Sequence, residues 1–269
     1  MLALLSSPFL WPFVAGLPFA VVLPLLGNLL RLRGEWLAAL GVAYLSSAAA
    51  LLGAGFGIAP AVAATTGATV AAVVKQRDGF SRNSAYGVMI LAGWSLMMLV
   101  AANTALGHAL AQSLVDGQIY FASPTEAAAA LVITGVALLL LPYFTRRRMR
   151  AHFFPAYDAA NGLPRWRWYL GFDWVAAVTT AVAITILGVM AAFALLFLPA
   201  LTVFPLAKRW RTANVAAALL GVASYLVAFF VALSADQPFG PLFVGVLLFA
   251  FASSRFLRTA KGAISPGAN

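Results

Sequence analysis

Apolar positions in this chain neither alternate nor form stripes. They fill whole blocks, and the charged positions gather in the short segments between them. A block that is apolar all round has no face for water, so it reads as a helix in lipid, and about 20 such residues are needed to cross the hydrocarbon core. The first block, Phe9 to Leu30, predicts one span. Residues 36–74 carry no charge at all, which leaves room for two spans joined by a tight turn at Gly53-Ala54-Gly55-Phe56-Gly57 and Pro60. Ala85 to Leu106 and Ala127 to Phe144 predict a fourth and a fifth. Residues 174–207, also uncharged, predict two short spans with a turn near Gly188. Asn214 to Leu233 and Gly240 to Ser254 complete a set of about nine, or eight if the N-terminal run lies along the membrane. The expected fold is all-α, a polytopic membrane protein in which residues 1–269 form one transmembrane domain.

Charge then sets the orientation. All 17 Lys and Arg residues fall into five clusters: Arg31 and Arg33; Lys75, Arg77 and Arg82; Arg146 to Arg167; Lys208, Arg209 and Arg211; Arg255, Arg258 and Lys261. Basic residues stay in cytoplasmic loops, so every cluster is expected inside and an even number of crossings must separate successive clusters. Nine spans satisfy this with the N-terminus outside and the C-terminus in the cytoplasm, in a bacterial inner membrane. Met1 to Leu10 holds no Lys or Arg, so a cleaved signal peptide is not expected. The external segment, about 107–126, contains His108 and Asp116 and should carry a short helix from His108 to Asp116. Within it, Ser123-Pro124-Thr125-Glu126 has the form of a capping box with Pro at the first helical position, which would start the fifth span.

Composition agrees and removes alternatives. The chain is 63% hydrophobic and 9% charged, with mean hydropathy +0.95, far from the roughly 45–50% apolar and 25% charged of soluble domains. A net charge of +10 would suggest nucleic acid in a soluble protein. Here each basic residue flanks an apolar block, so membrane lipid is the expected surrounding and nucleic acid is not a partner. The absence of Cys excludes disulfides and thiolate metal ligands.

Candidate chemistry is sparse. All seven acidic residues fall in loops or at predicted span ends, whereas an ion-coupled transporter normally buries an ionisable group at mid-membrane. The two histidines, His108 and His152, are expected on opposite faces of the membrane, so no hydrolase site is expected and the chain is read as not an enzyme. A passive conduit driven by another polypeptide remains. An ATP-driven permease needs only a shaped path and a cytoplasmic element for the ATPase to push. The longest internal loop, about 146–170, offers one: residues 156–161 predict a short helix stopped by Gly162 and Pro164. The same loop also reads as a plain solvated basic segment. The rival from another class is an ATP-independent secondary transporter or an accessory membrane scaffold.

Several of these segments resemble the permease subunits of the zinc, manganese and iron ABC importers, over about Val115 to Leu257. Gly117-Gln118-Ile119 followed by Ser123-Pro124-Thr125-Glu126 is similar to that family's external pattern, and Gly162-Leu163-Pro164 to the end of its coupling helix. Gly188-Val189 with Leu195-Leu196-Phe197-Leu198-Pro199-Ala200, and Pro238-Phe239-Gly240-Pro241 before the last span, complete the likeness. The resemblance implies a second copy of the chain, a cytoplasmic ABC ATPase dimer, a periplasmic solute-binding protein, no bound cofactor, and a transition metal, free or chelated, as cargo. It also implies coupling through Asp158, Asn161, Gly162 and Pro164. Family members usually carry Asp and His in a G-D-A-x-x-H pattern in the second span. Here Val42 stands where the Asp would be and Ser46 near the His, and hydroxyls alone make a poor site for a bare divalent ion. Tyr44, Ser46, Ser47, Met97, Met98, Asn103 and His108 are therefore the candidate path residues, each equally readable as helix packing.

Overall fold

The computed structural model describes residues 7–74, 82–104, 107–154, 156–163 and 165–264, and every regular element among them is helical. The chain runs through α1 (Ser7–Leu32), α2 (Trp36–Gly55), α3 (Pro60–Val74), α4 (Arg82–Asn103), α5 (Gly107–Asp116) and a single 3-10 turn, Ile119–Phe121. It continues with α6 (Pro124–Phe153), α7 (Tyr157–Ala160), α8 (Arg165–Leu187), α9 (Val189–Val203), α10 (Trp210–Ala235) and α11 (Phe239–Ile264). Seven of these are long and apolar enough to cross a membrane, while α3 and α9 are shorter apolar helices that bring the number to about nine. Their boundaries fall close to those expected from the apolar blocks, including the break at Gly188. The larger departures are α6, which runs nine residues past Phe144 to Phe153 and carries four arginines in its last turns, and α11, which runs ten residues past Ser254 to Ile264.

The local signals that end and start helices act as their chemistry requires. Ser123 and Glu126 form a complete capping box: the Glu126 amide donates to Ser123 Oγ at 3.3 Å and the Ser123 amide to Glu126 Oε2 at 2.7 Å. α1 ends in a Schellman motif, with Gly34 at φ 67° and the Glu35 amide donating back to Leu30 O. α7 ends in the same way, with Gly162 at φ 61° and the Leu163 amide donating to Asp158 O. That geometry explains the Gly-Leu pair: the glycine takes the left-handed position and the leucine amide closes the turn.

Packing divides the helices into an inner and an outer set. α1, α2, α8 and α9 contact one another and hold most of the buried core, whereas α4, α6, α10 and α11 each bury only a minor share of their length. Aliphatic and aromatic residues such as Leu91, Leu99, Leu139, Leu219 and Phe249 project outward from the outer set. In water such surfaces would be costly; facing lipid they are the expected outcome. Inside, small residues let helices approach closely. Gly93 of α4 sits against the backbone of Tyr44 and Leu45, and Gly67 of α3 against Leu45 and Ser46. A pair of amides ties α1 to α10, Asn28 Nδ2 donating to Asn214 Oδ1 at 2.8 Å.

Four of the five basic clusters meet at one end of this bundle. Arg33 bonds Asp173 near the start of α8, and Arg148 of α6 lies close to Arg33. Arg31 donates to Ala200 O at 3.1 Å, stacks over Phe204 just before Lys208, and is an electrostatic neighbour of Arg255. The fifth cluster is represented by Arg82 at the start of α4; Lys75 and Arg77 lie outside the described residues. This is the basic end of the bundle, and the opposite one is the far end.

Candidate functional site

At the basic end the loop between α6 and α8 is built rather than loose. Asp158, on α7, is 1% exposed and accepts a hydrogen bond from Arg150 Nη2 at 2.6 Å. The Arg150 guanidinium also lies 4.6 Å from the centre of the Tyr157 ring. One α6 side chain thus grips two successive α7 residues by charge and by cation–π contact. Asn161 is exposed and its Nδ2 donates to Tyr157 O at 2.8 Å, adding a second closure at the end of α7. Pro164 lies outside the described residues. Asp158, Asn161 and Gly162 therefore belong to one small unit, with Tyr157 and Ala160 exposed on its surface.

Two residues along α6, a second arginine points elsewhere. Arg148 is only 4% exposed, and its guanidinium lies 4.5 Å from the Tyr169 ring centre, 4.8 Å from Phe172 and 5.3 Å from Trp168, all on α8. Arg33 meets the same Tyr169 at 4.7 Å. Its Nε is 2.6 Å from Glu35 Oε2 and its Nη1 2.5 Å from Asp173 Oδ1. Glu35 and Asp173 are 2% and 4% exposed. Glu35 lies in a loop and Asp173 near the start of a span, as expected, but the expectation said nothing of their burial: Asp173 lies in the third turn of α8, enclosed by Arg33 of the α1–α2 turn and Arg148 of α6. What hides it from sequence is that its partners come from positions 33 and 148, far away along the chain.

At the far end the likeness-bearing glycines converge. α5 ends at Asp116, and Gly117, at φ 86°, lies directly on the carbonyl of Leu187 and the amide of Gly188, where α8 breaks into α9. Gly188 in turn faces Gly117 N and Val115 O, and Gly240 at the start of α11 faces Asp116 O. The Gln118 amide donates to Ile186 O at 3.2 Å. Three segments far apart in sequence are pinned together backbone to backbone, which fixes α5 over one end of the inner helices.

The candidate path residues are divided among several surfaces. Tyr44 lies on the seam between α2 and α4, beside Gly93, and the fully buried Met97 is one turn further along α4. Ser46 is also fully buried, against α3 at Gly67, and its hydroxyl has no hydrogen-bond partner. Ser47 donates to its own helix at Ala43 O, 3.0 Å. Met98 and Asn103 are exposed on α4, Asn103 donating to Leu99 O. His108 lies in α5, but its side chain is outside the described residues. Val42 does not share their surfaces: it borders a gap of about 20 Å³ between α2 and α8, with Asp173 and Thr180. A larger cavity of about 240 Å³ opens near the basic end between α1, α2 and α9, lined by Gly27, Arg31, Ala39, Phe197 and Leu201 among others. Among the described residues, no three His, Cys, Asp or Glu side chains lie close enough together to hold a metal ion.

The arrangement has known counterparts. The chain is 25% identical over 216 residues to the manganese transport system membrane protein MntC of Halalkalibacterium halodurans, a match covering 80% of this chain and 74% of that protein. Its fold superposes on a chain of PsaBC from Streptococcus pneumoniae, solved in complex with Fab, with TM-score 0.83 and 17% identity, covering 94% of this chain and 95% of that one. An inward-facing metal-chelate type ABC transporter matches with TM-score 0.73 and 16% identity, over 95% and 90% of the two chains. The model of the ABC 3 transport family matches residues 7–258. With nearly the whole bundle inside that match, the chain belongs to the ABC 3 transport family and is a membrane permease of the metal-type ABC transporters.

Proposed function

We propose that two copies of this chain form the membrane conduit of an ATP-driven importer for a transition metal, free or chelated. A cytoplasmic ATPase dimer docks at the basic end and a solute-binding protein at the far end. The observation that carries this reading is the capped and clamped α7. A loop that was only a solvated basic segment would have no reason to bury Asp158 against Arg150 and to close on Gly162 in a left-handed turn. A short rigid helix on the surface, tied to a long spanning helix, is what a motor domain needs to push. The gathering of the basic clusters at one end supports a C-terminus on the cytoplasmic side of a bacterial inner membrane.

The relative from H. halodurans carries manganese transport in its name, and manganese is accordingly the first cargo to test. The chain lacks a strong ligand at position 42 or 46, so capture rests with the binding protein and the conduit passes its cargo without holding it tightly. His108, on α5 over the inner helices, is the remaining imidazole near the outer mouth; His108→Ala should lower uptake.

The test is co-expression with a genetically adjacent ATPase. The complex should co-isolate from detergent and hydrolyse ATP faster when the loaded binding protein is added. Asp158→Ala leaves Arg150 half-buried without its partner, and Gly162→Val forces a side chain into the left-handed region at about 1–2 kcal/mol. Either variant should insert normally yet lose the stimulated hydrolysis. Stimulation equal to that of the unaltered chain would remove α7 from the mechanism, and an ATPase that never co-isolates would remove the ATP-driven reading itself.

A further inference from the structure

The buried charges at the basic end do something that the α7 grip alone does not explain. Arg33, Glu35, Asp173 and Arg148 come from three places: the turn between α1 and α2, the third turn of α8, and the last turns of α6. Two are positive and two negative. Arg148 makes no hydrogen bond through Nε or Nη2 and is held chiefly by the rings of Trp168, Tyr169 and Phe172. The Tyr169 ring lies within 5 Å of both guanidinium carbons, 4.7 Å from Arg33 and 4.5 Å from Arg148. One turn before Arg148, Phe144 meets Phe172 edge-on at 5.6 Å, so α6 and α8 are matched along a whole face.

Such a group contributes little to net stability, because desolvating four ionised side chains offsets much of their attraction. Separating its members is a different matter. Each departure would take a partner away from a buried charge, at about 3–5 kcal/mol. Three segments joined in this way move together or not at all.

We propose that these four side chains form a rigid joint that carries the displacement of α7 into the inner helices. Arg150 fixes α7 to the end of α6, and Arg148, two residues earlier, fixes that same end to α8 and, through Asp173 and Arg33, to the α1–α2 turn. The four are positioning residues: they touch neither cargo nor nucleotide. The proposal rests on the ATP-driven reading above, since a joint of this kind needs a motor. It assigns α1, α2 and α8 as the helices that move with the loop, and α8 leads directly into the Gly188 break beneath α5.

The test uses the full complex in proteoliposomes, with radiolabelled manganese(II) and the loaded binding protein. The readout is ATP hydrolysed per ion taken up. Single changes such as Arg148→Met leave uncompensated charge, so the informative variant removes all four charges together: Arg33→Met, Glu35→Gln, Asp173→Asn and Arg148→Met. It should assemble and hydrolyse ATP while the ATP spent per ion rises about tenfold, within the usual range of coupling between distant sites. Normal coupling in that variant would overturn the joint. A second measurement needs no change to the four residues. The chain has no cysteine, so spin labels can be placed at Arg146 on α6 and Trp174 on α8, both exposed. Their separation should stay constant between nucleotide-free and nucleotide-trapped complexes. A change of more than about 2 Å, the scale of helix shifts at moving interfaces, would overturn the proposal even if the fourfold variant fails to fold. If the unaltered complex shows no ATP-dependent uptake at all, the ATP-driven reading fails, and the joint with it.

Discussion

At the far end of the bundle three segments meet backbone against backbone, through Gly117, Gly188 and Gly240. At the basic end three segments meet through long side chains: Arg33, Arg148, Asp173 and Glu35 among aromatic rings. Both unions hold distant parts of the chain together, but they fail differently. A glycine contact has no slack, because any added atom collides with main chain that cannot rotate away. A charged contact has slack in its rotamers but none in its charge balance. The far end is thus intolerant of volume, and the basic end is intolerant of losing one partner alone.

The largest effect should come from adding volume at the far end. Gly188 has φ 89° and ψ 161°, a region that is essentially reserved for glycine. A Cβ there would also lie 2.6 Å from Gly117 N and 2.7 Å from Val115 O. Strain of about 1–3 kcal/mol then adds to a clash that no side-chain rotation relieves. Gly188→Val should reduce the yield of folded protein in detergent to a small fraction of the unaltered chain, by size-exclusion profile. A well-folded Gly188→Val protein would show that α5 is not pinned at the break, and the contrast between the ends would weaken.

These two ends also differ in how far sequence reveals them. The far end was visible as motifs, since Gly117, Gly188 and Gly240 each sit at a predicted helix boundary where glycine is informative. What sequence did not contain was that the three touch. Apolar blocks placed the spans, because burial in lipid forces whole blocks to be apolar, and the Gly-Leu-Pro stop located α7. The charge joint was hidden for a definite reason. Arginine near a span end has a sufficient explanation in the positive-inside rule, so nothing in the pattern separates buried Arg148 from its exposed neighbour Arg146. The nearest signal was the position of Glu35 and Asp173 beside basic clusters, and it is not selective, because Asp78 and Asp158 lie inside such clusters as well. The candidate path residues were the least legible. Ser46 and Met97 are buried within the chain, where helix packing accounts for both, and nothing in the apolar pattern separates packing from a path.

A smaller effect is expected at the start of α6, next to the far-end contact. Ser123→Ala removes the oxygen that accepts from the Glu126 amide and leaves the helix without half of its capping box. The cost should be about 1 kcal/mol, read as a modest fall in the thermal midpoint with normal assembly. A drop as large as that of Gly188→Val would mean that the cap, not the glycine contact, holds this end together.

The smallest effect separates two tyrosines of the same aromatic cluster. Tyr225 of α10 donates to Phe13 O of α1 at 3.0 Å, whereas the hydroxyl of Tyr120, in the 3-10 turn, is buried without a hydrogen-bond partner. Removing a bonded hydroxyl should cost about 0.5–1.5 kcal/mol, while removing an unbonded buried one should cost nothing near neutral pH and can stabilise. Burial pushes the Tyr120 hydroxyl up from 10.0 to about 12. Its folded-state value is thus above its unfolded one. The neutral form is favoured in the fold, and its contribution is complete below pH 10 and is lost as pH rises towards 12. Tyr120→Phe should therefore leave the thermal midpoint unchanged at pH 7 and flatten its decline between pH 10 and 12, while Tyr225→Phe should lower it at pH 7. Equal losses for both at neutral pH would show that Tyr120 has a bonded partner, and that this end relies on polar contacts as much as on its glycines.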